Sequence, residues 1–393
     1  MRPAWPKTLF AGLLAALFLA CAPAYAADTI QIAAQQALLM DAASGTILFE
    51  KNARTPMVPA SLAKLMTAEM VFDQIKQGKL TLDQDFVISE NAWRKGGAPS
   101  GGSTMFAAIH SHVSIADLIS GLIVLSGNDA AIALAEGIAG GEFAFGEMMT
   151  RHAKEIGLTA STFRNATGAD DPDQRSTALD LALLARHVIL TYPELYKYFG
   201  QKEFTWNKIR QLNRNPLLTM DIGADGLNTG RIDEPGIGLV GSAVQGGQRL
   251  IVVINGAATP KDRAAEGRKL LEYGFRAFEG QDLFPEGAVI TQASVYGGAK
   301  STVDLRADGP VRVVTQRGGR ERLSAKLLYQ GPLMPPVAAG MKVGVLRVYE
   351  GEASILEVPL FAAESVGQGD LARQAQDALL EAGSGAIRRL LKR

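Results

Sequence analysis

Pro59-Ala60-Ser61-Leu62-Ala63-Lys64-Leu65-Met66-Thr67 opens an apolar, helix-compatible run and sets a hydroxyl and an amine three residues apart. On a helix the two side chains share a face. Serine is a poor nucleophile until a base takes its proton, and a lysine held against it takes that proton once burial or neighbouring charge depresses its pKa. Taken alone, Ser-x-x-Lys is a common accident of solvated surface helices. Two later segments change the balance. Ser126-Gly127-Asn128 is a small polar triplet between the apolar runs Leu118 to Leu125 and Ala130 to Ala135, and alone it reads as a turn between helices. Asp225-Gly226-Leu227-Asn228-Thr229-Gly230 stands just before an alternating, β-like run from Ile237 to Ile254, and alone it reads as a strand end. In this order the three elements supply a nucleophile with its base, a second hydroxyl with an amide, and a strand edge for a carboxylate, which is the set that acyl transfer through serine requires.

With these motifs the chain closely resembles the serine-type D-alanyl-D-alanine carboxypeptidases, the low-molecular-mass penicillin-binding proteins. Leu39-Met40-Asp41-Ala42-Ala43-Ser44-Gly45 is similar to the family's opening strand and turn, and Gly102-Ser103-Thr104-Met105-Phe106 to the segment before its second motif. Ser126-Gly127-Asn128-Asp129-Ala130, Phe163-Arg164-Asn165-Ala166-Thr167-Gly168 and Gly238-Leu239-Val240-Gly241-Ser242-Ala243 match as well. The resemblance covers roughly residues 30 to 280 well and the remainder less specifically. It implies an α+β, β-lactamase/transpeptidase-like catalytic domain, an antiparallel sheet with a helical subdomain, followed by a small all-β domain.

One position departs from the family. Its third motif normally begins with lysine, and here that place holds Asn228. An ammonium attracts the terminal carboxylate of a peptide and strengthens the field around the base, whereas an amide only donates a hydrogen bond. A charge-assisted bond contributes on the order of 1.5–3 kcal/mol against about 1 for a neutral one. Roughly one to two orders of magnitude in carboxylate recognition are at stake. Arg231, three positions on, is a candidate replacement, but positions three apart in a strand point to opposite faces, so compensation needs a turn or a long reach.

The resemblance further implies the roles. Ser61 attacks the carbonyl between the last two D-alanines of a peptidoglycan stem peptide and Lys64 deprotonates it. Ser126 relays a proton, Asn128 holds the peptide amide, and Asn228, Thr229 and Gly230 form the edge that binds the carboxylate. The backbone N–H groups of Ser61 and Arg231 form the oxyanion hole. β-Lactams are the implied covalent inhibitors, and neither metal nor organic cofactor is needed. Three other readings share these residues: a β-lactamase, which usually has Ser-Asp-Asn and no appended domain, a DD-endopeptidase, and a catalytically weakened wall-binding homologue. The intact Ser61, Lys64, Ser126 and Asn128 argue against the last.

Met1 to Lys7 carries Arg2 and Lys7, Thr8 to Ala22 is almost wholly apolar, and Ala24-Tyr25-Ala26 offers an A-x-A cleavage site, so residues 1–26 read as a signal peptide. The apolar stretch is too short to span a bilayer. Cys21 suggests lipidation, but Phe18-Leu19-Ala20 before it is a poor acylation signal. Cleavage removes the only cysteine, and with it any disulfide, thiol nucleophile or cysteine metal site. The full chain balances 40 basic against 40 acidic residues; loss of Arg2 and Lys7 leaves 38 against 40, a charge that suggests no nucleic-acid partner. The expected location is the periplasm, peripheral on the outer face of the inner membrane.

The remaining length predicts two domains, 27–280 and 281–366. In the first, β-like ends at Leu38 to Phe49 and Leu239 to Ala257 enclose helices over Ser61 to Gln77, Ile115 to Leu125, Asp129 to Ile138, Phe143 to Ile156 and Thr177 to Leu190. Asp117 and Thr177 read as helix starts, Thr177 with Asp180 as a capping box. Arg263 to Glu279 reads as a closing helix, with Leu270, Leu271, Phe275 and Phe278 on one side. Both ends of the domain then share one sheet, and the active site lies where its edge meets the helices. Beyond Pro285, short runs at Ala288 to Val295, Val311 to Thr315, Leu323 to Tyr329, Met341 to Tyr349 and Ile355 to Leu360 predict a small sandwich or barrel. In 371–393, Leu371, Ala375, Ala378, Leu379, Ala386, Ile387, Leu390 and Leu391 form a stripe beside Arg388, Arg389, Lys392 and Arg393, the pattern of an interfacial membrane anchor weakened by Gly383 and Gly385.

Other signals do not hold. Gly236-Ile237-Gly238-Leu239-Val240-Gly241 fits a dinucleotide fingerprint by letter, yet Leu239 to Val244, Gly246-Gly247 and Leu250 to Ile254 read as a hairpin with no helix after it. His110 and His112 are two apart, and His152 and His187 stand alone, so no pair has metal-binding helical spacing. No G-x-S-x-G elbow is present. Asn165-Ala166-Thr167 spells a glycosylation site but reads as a turn.

Overall fold

Gln36-Ala37-Leu38-Leu39-Met40-Asp41 is buried at every residue, as a strand covered on both faces must be. The computed structural model describes residues 30–231, 237–318 and 322–375, and of Arg231 the main chain alone. The leader 1–26 and most of the basic tail, 376–393, lie outside the described residues. The chain runs β1 (Gln36–Asp41), β2 (Ile47–Lys51), α1 (Lys64–Lys76), β3 (Asp85–Val87), α2 (Glu90–Gly96), β4 (His112–Ser114), α3 (Ile115–Val124), α4 (Asn128–Ala139), α5 (Glu142–Glu155) and α6 (Ala178–Thr191). It continues through α7 (Pro193–Tyr196), β5 (Glu203–Trp206), β6 (Ile209–Leu212), β7 (Ala224–Arg231), β8 (Ile237–Gln245), β9 (Gln248–Ala257) and α8 (Pro260–Ala277).

The main sheet has the order β2-β1-β9-β8-β7, antiparallel throughout, so the first and last strands of the domain lie side by side. Alternate residues go to opposite faces. Leu38, Met40, Val240, Ile251 and Val253 join the core built with the helical layer. Leu39, Leu239 and Leu250 face α8, which approaches closely enough that a Cβ at Gly267 or Gly274 would lie 2.6 Å from a leucine methyl of the sheet. Gly246 and Gly247, at φ +56° and +79°, make the two-residue turn of the β8–β9 hairpin, which needs positive φ at both positions. A strand therefore follows the glycine-rich stretch where a dinucleotide fold needs a helix.

Several element ends differ from expectation. Asp117 does not start α3; Ser114 does, its Oγ accepting from the Asp117 N–H at 3.1 Å, so the aspartate stands inside the first turn. Thr177 does cap α6, accepting from the Asp180 N–H at 3.0 Å. The Asp180 carboxylate, rather than completing a capping box, accepts from Ala160 N–H and Ser161 Oγ. The closing helix begins at Pro260 behind the Thr259 cap, and it ends at Ala277, before Glu279. Phe278 turns extended there because Arg317 covers the free carbonyls of Phe275 and Arg276 with its guanidinium.

Phe278 thus starts a second, all-β domain. It contains β10 (Phe278–Phe284), β11 (Thr291–Ser294), β12 (Thr302–Arg306), β13 (Val311–Gln316), β14 (Leu323–Tyr329), β15 (Lys342–Glu350) and β16 (Ala353–Ala362). A β10-β13 pair and a five-stranded sheet, β11-β12-β16-β15-β14, share one core containing Val303, Leu305, Val313, Leu346, Val348 and Leu360. No helix among the described residues is long and apolar enough to cross a membrane.

In the first domain α1 is the central helix, buried from Lys64 through Phe72 on every side. Burial all round forces its one buried carboxylate, Glu69, to find partners. His152 Nε2 lies 2.9 Å from Glu69 Oε1, His187 Nε2 3.2 Å, and the Tyr192 hydroxyl donates to the same oxygen at 2.8 Å. The two histidines that stand alone in sequence meet here. Burial pushes the Glu69 carboxyl up, but hydrogen bonds from His152, His187 and Tyr192 outweigh it and hold the pKa below the usual value. The bond to Glu69, opposed by burial, raises His152 to about 9. Because the folded-state pKa lies above the ordinary 6.5, the stabilisation is complete below about pH 6.5 and is lost as pH rises through about 9. Urea unfolding should therefore show stability falling from roughly pH 7 to pH 10 in the native chain. His152→Gln should cost about 2 kcal/mol at neutral pH and flatten that dependence; an unchanged slope in the variant would assign the loss to other groups.

Candidate active site

Ser61 does not lie in the α-helix itself. It sits in a 3₁₀ turn, Ala60–Ala63, that runs straight into α1 at Lys64. A 3₁₀ turn has three residues per turn, so residues i and i+3 stack one above the other. Lys64 Nζ accordingly lies 3.1 Å from Ser61 Oγ, and it donates to the Thr167 carbonyl at 2.6 Å. The lysine is 1% exposed. Burial, the larger effect, and the Arg214 guanidinium lower its pKa from 10.5 to about 7, against the opposing charge of Asp129. Near neutrality a substantial fraction of Lys64 is thus a free amine able to accept the hydroxyl proton.

The Thr167 carbonyl is aimed by its own loop. Asn165 Oδ1 accepts from the Thr167 hydroxyl and from the N–H groups of Gly168 and Ala169 at 2.8–3.1 Å, so Asn165-Ala166-Thr167 is the expected turn. Gly168 has φ +79°, and a Cβ there would fall 1.9 Å from the Ala60 carbonyl oxygen. The loop therefore presses against the serine's turn, and only glycine permits that approach.

Ser126 and Asn128 flank the start of α4 from a strained turn, with Ser126 at φ +54°. Ser126 Oγ is buried and has no hydrogen-bond partner among the described residues, so it is not bonded to Lys64. Asp129, fully buried, takes hydrogen bonds from Thr104 Oγ1 at 2.6 Å and from the N–H groups of Met105 and Ala107. It pins the segment around Gly102 to Phe106 against this turn.

β7 is the sheet's edge strand, and its Asn228, Thr229 and Gly230 pair with Val240, Leu239 and Gly238 on the inner side. The outer side is open to an extended partner. Asn228 faces the serine: its Nδ2 donates to the Ser61 carbonyl at 2.9 Å and its Oδ1 accepts from the Thr229 N–H at 2.7 Å. The amide thus ties the edge strand to the nucleophile's turn. Arg231 ends β7, and its side chain lies outside the described residues. Arg214 is a cation beside the site, and its Nε donates to the Leu125 carbonyl at 2.8 Å, one residue before Ser126. No local pattern marks Arg214 or the Thr167 carbonyl in the sequence. Asp129 did leave a signal, as a lone acid heading an apolar helix.

Comparison with known proteins identifies the family and the fold. Residues 23–259 match the D-alanyl-D-alanine carboxypeptidase family, and residues 278–368 match the C-terminal domain of penicillin-binding protein 5. The chain is 41% identical to the D-alanyl-D-alanine carboxypeptidase DacC of Escherichia coli, over 92% of this chain and 93% of that protein. It is 38% identical to DacA of Haemophilus influenzae over 87% of each. Crystal structures of penicillin binding protein 5 from Haemophilus influenzae superpose with a TM-score of 0.83 at 38% identity, over 86% of this chain and 99% of that one. The ampicillin-bound penicillin-binding protein D2 of Listeria monocytogenes covers 63% of this chain and 99% of its own at 31% identity, with a TM-score of 0.56.

The Lys64 environment fixes a pH dependence. If Lys64 takes the proton of Ser61 it must do so as a free amine, and acylation of Ser61 by penicillin is then expected to rise with pH through about 7. Stopped-flow acylation from pH 5 to pH 9 reads it; a midpoint near the ordinary lysine value would mean that the amine is not desolvated in solution.

Proposed function

Because the chain belongs to the D-alanyl-D-alanine carboxypeptidase family, we propose that it removes the terminal D-alanine of peptidoglycan stem peptides by acyl transfer through Ser61. The observation that carries this reading is the buried amine of Lys64 3.1 Å from the Ser61 hydroxyl. Ser61 Oγ attacks the carbonyl of the penultimate D-alanine while its proton passes to Lys64 Nζ. The C–N bond then breaks, the departing amine takes a proton, and an acyl ester remains on Ser61. Water attacks that ester, gives its proton to Lys64, and releases the shortened peptide with Ser61 restored. Ser126 Oγ, unbonded in its buried turn, is suited to pass the proton to the leaving amine. Asn128 holds the acyl-side amide. The backbone N–H groups of Ser61 and Arg231 receive the oxyanion.

For the substrate carboxylate we assign Thr229 and the open edge of β7, with Arg214 in place of the missing lysine. Asn228 is already committed to the Ser61 carbonyl, and Arg214 is the cation whose field reaches Lys64. The leader would carry the chain out of the cytoplasm, and the basic tail would hold it at the outer face of the inner membrane. Residues 371–375 are helical, opened by Asp370 Oδ1 accepting from the Arg373 N–H at 2.8 Å, and Leu371 is 83% exposed.

Intact-mass spectrometry after penicillin treatment should find one covalent adduct, mapping to Ser61 and absent from Ser61→Ala. No adduct after long incubation at high penicillin would sink the mechanism. Arg214→Ala should lower kcat/KM for a D-Ala-D-Ala peptide roughly ten-fold or more and move the acylation profile to higher pH, since it removes a cation that holds Lys64 down. Asn228→Lys should raise kcat/KM and restore much of the Arg214→Ala loss. If both substitutions are silent, the carboxylate is held elsewhere.

Attachment is tested separately. Deleting residues 371–393 should release the protein from vesicles of anionic lipid without lowering turnover of a soluble peptide. Equal vesicle binding by the truncated and full-length proteins would refute the anchor.

A further inference from the structure

One end of the β domain faces the catalytic domain. Arg322, Glu350 and Ile355, around the turn that joins β15 to β16, line a single cavity with Thr46, Ile47 and Leu48 at β2. β15 leads away from that turn for nine residues, about 30 Å of strand. The connections at its other end, 295–301, 330–341 and 363–370, are therefore the part of the sheet farthest from β2.

Main-chain bonds tie these connections together. The Leu333 N–H donates to the Ser294 carbonyl at 2.8 Å, and the Leu333 carbonyl accepts from the Tyr296 N–H at 2.9 Å. The chain leaving β14 thus crosses the end of the sheet to β11, the strand on the opposite edge, and returns to pair Val337 with Val366 just past β16. On the same β11–β12 connection the Gly369 N–H donates to the Gly297 carbonyl at 2.9 Å. Met334 and Leu371 therefore flank one loop, the first next to the residue held on Tyr296 and the second two residues past the one held on Gly297. Leu333 and Val337 turn into the core, while Met334 is left 66% exposed and Leu371 83%. Pro335 and Pro336 stiffen the loop that presents Met334. An unbranched, adaptable side chain on a projecting loop suits a soft partner rather than a shaped pocket. Cations accompany it: Lys342 is exposed at this end, and the chain that leaves here carries Arg388, Arg389, Lys392 and Arg393.

We propose that loop 331–336 is a second lipid contact, with Met334 entering the boundary between headgroups and acyl chains of an anionic bilayer beside the helix that Leu371 begins. The folded domain then rests on the membrane with its own end instead of hanging from the tail alone. Two contacts on one rigid end fix the tilt of the sheet, and with it the direction in which the catalytic domain is held off the surface. The inference rests on the proposed attachment through residues 371–393, to which it adds a contact that the tail does not supply.

The test uses the full chain with Cys21→Ser, which removes its single cysteine. An environment-sensitive nitrobenzoxadiazole label is placed at Met334→Cys, or at Glu352→Cys, exposed in the turn at the opposite end of the sheet. With vesicles of phosphatidylglycerol and phosphatidylethanolamine, the label at 334 should brighten several-fold and shift to the blue, and the label at 352 should not change. Met334→Asp should weaken co-sedimentation with the same vesicles about ten-fold, and because Met334 is exposed the variant should keep the native melting temperature. Co-sedimentation with a label at 334 that stays dark, equal brightening at 352, or equal binding by Met334→Asp and the native chain would overturn the loop contact and leave the tail as the anchor. Absence of co-sedimentation by the native chain would overturn the anchor and the loop contact together.

Discussion

The proposed chemistry depends on keeping one amine dry. Lys64 heads a helix that is buried on every side, and an ammonium ion there is costly enough that its pKa falls to about 7. Each neighbouring element shapes the surroundings of that amine. The sheet and α3–α6 exclude water from α1, the loop carrying Gly168 brings the Thr167 carbonyl onto the amine, and the 3₁₀ turn stacks Ser61 above it. Asp129, whose charge pulls the other way, is occupied by Thr104 and three backbone N–H groups, those of Met105, Ala107 and Ala130. Were it free to pair with Lys64, the amine would stay protonated and useless as a base.

Asn228 separates two jobs that a lysine at this position does at once. Its amide keeps the mechanical one, bridging β7 to the Ser61 carbonyl, and a neutral group does that as well as a charged one. The electrostatic job passes to another element. In the proposed mechanism Arg214 takes it, entering from the segment before β7 and anchored on the carbonyl next to Ser126. An arginine suits an exposed place, since it stays charged at any working pH and binds carboxylates through a planar fork.

How far the sequence reveals this architecture follows from the range of the forces involved. Alternating and helical periodicities are local, so β1, the β8–β9 hairpin and α1, α3, α4, α5 and α6 are legible from their own residues. The approach of Lys64 to Ser61 is legible through their spacing. The helix ends were missed where a side chain from elsewhere decides them, as Arg317 does for α8. Strand β10 was missed because Phe278 alone of its seven residues is buried, and β12 because its alternation runs for only five residues. Arg214, the Thr167 carbonyl and the meeting of His152 with His187 arise only in three dimensions, between segments tens of residues apart.

Helix α1 carries two buried ionisable groups five residues apart, and they are treated in opposite ways. Glu69 receives three donors on one oxygen and is held ionised; it ties α1 to α5 and α6 through His152 and His187. Lys64 receives no carboxylate partner and is held near its neutral form. A reactive base must be left underpaired, which costs stability. The paired cluster one turn and a half further along offsets part of that cost, and it fixes the helix whose first residue must keep its amine within reach of the serine. Stability and, in the proposed mechanism, reactivity are thereby placed about a turn and a half apart on one helix: Glu69 is locked by three donors, and Lys64 is bonded to a hydroxyl and a carbonyl rather than to a carboxylate.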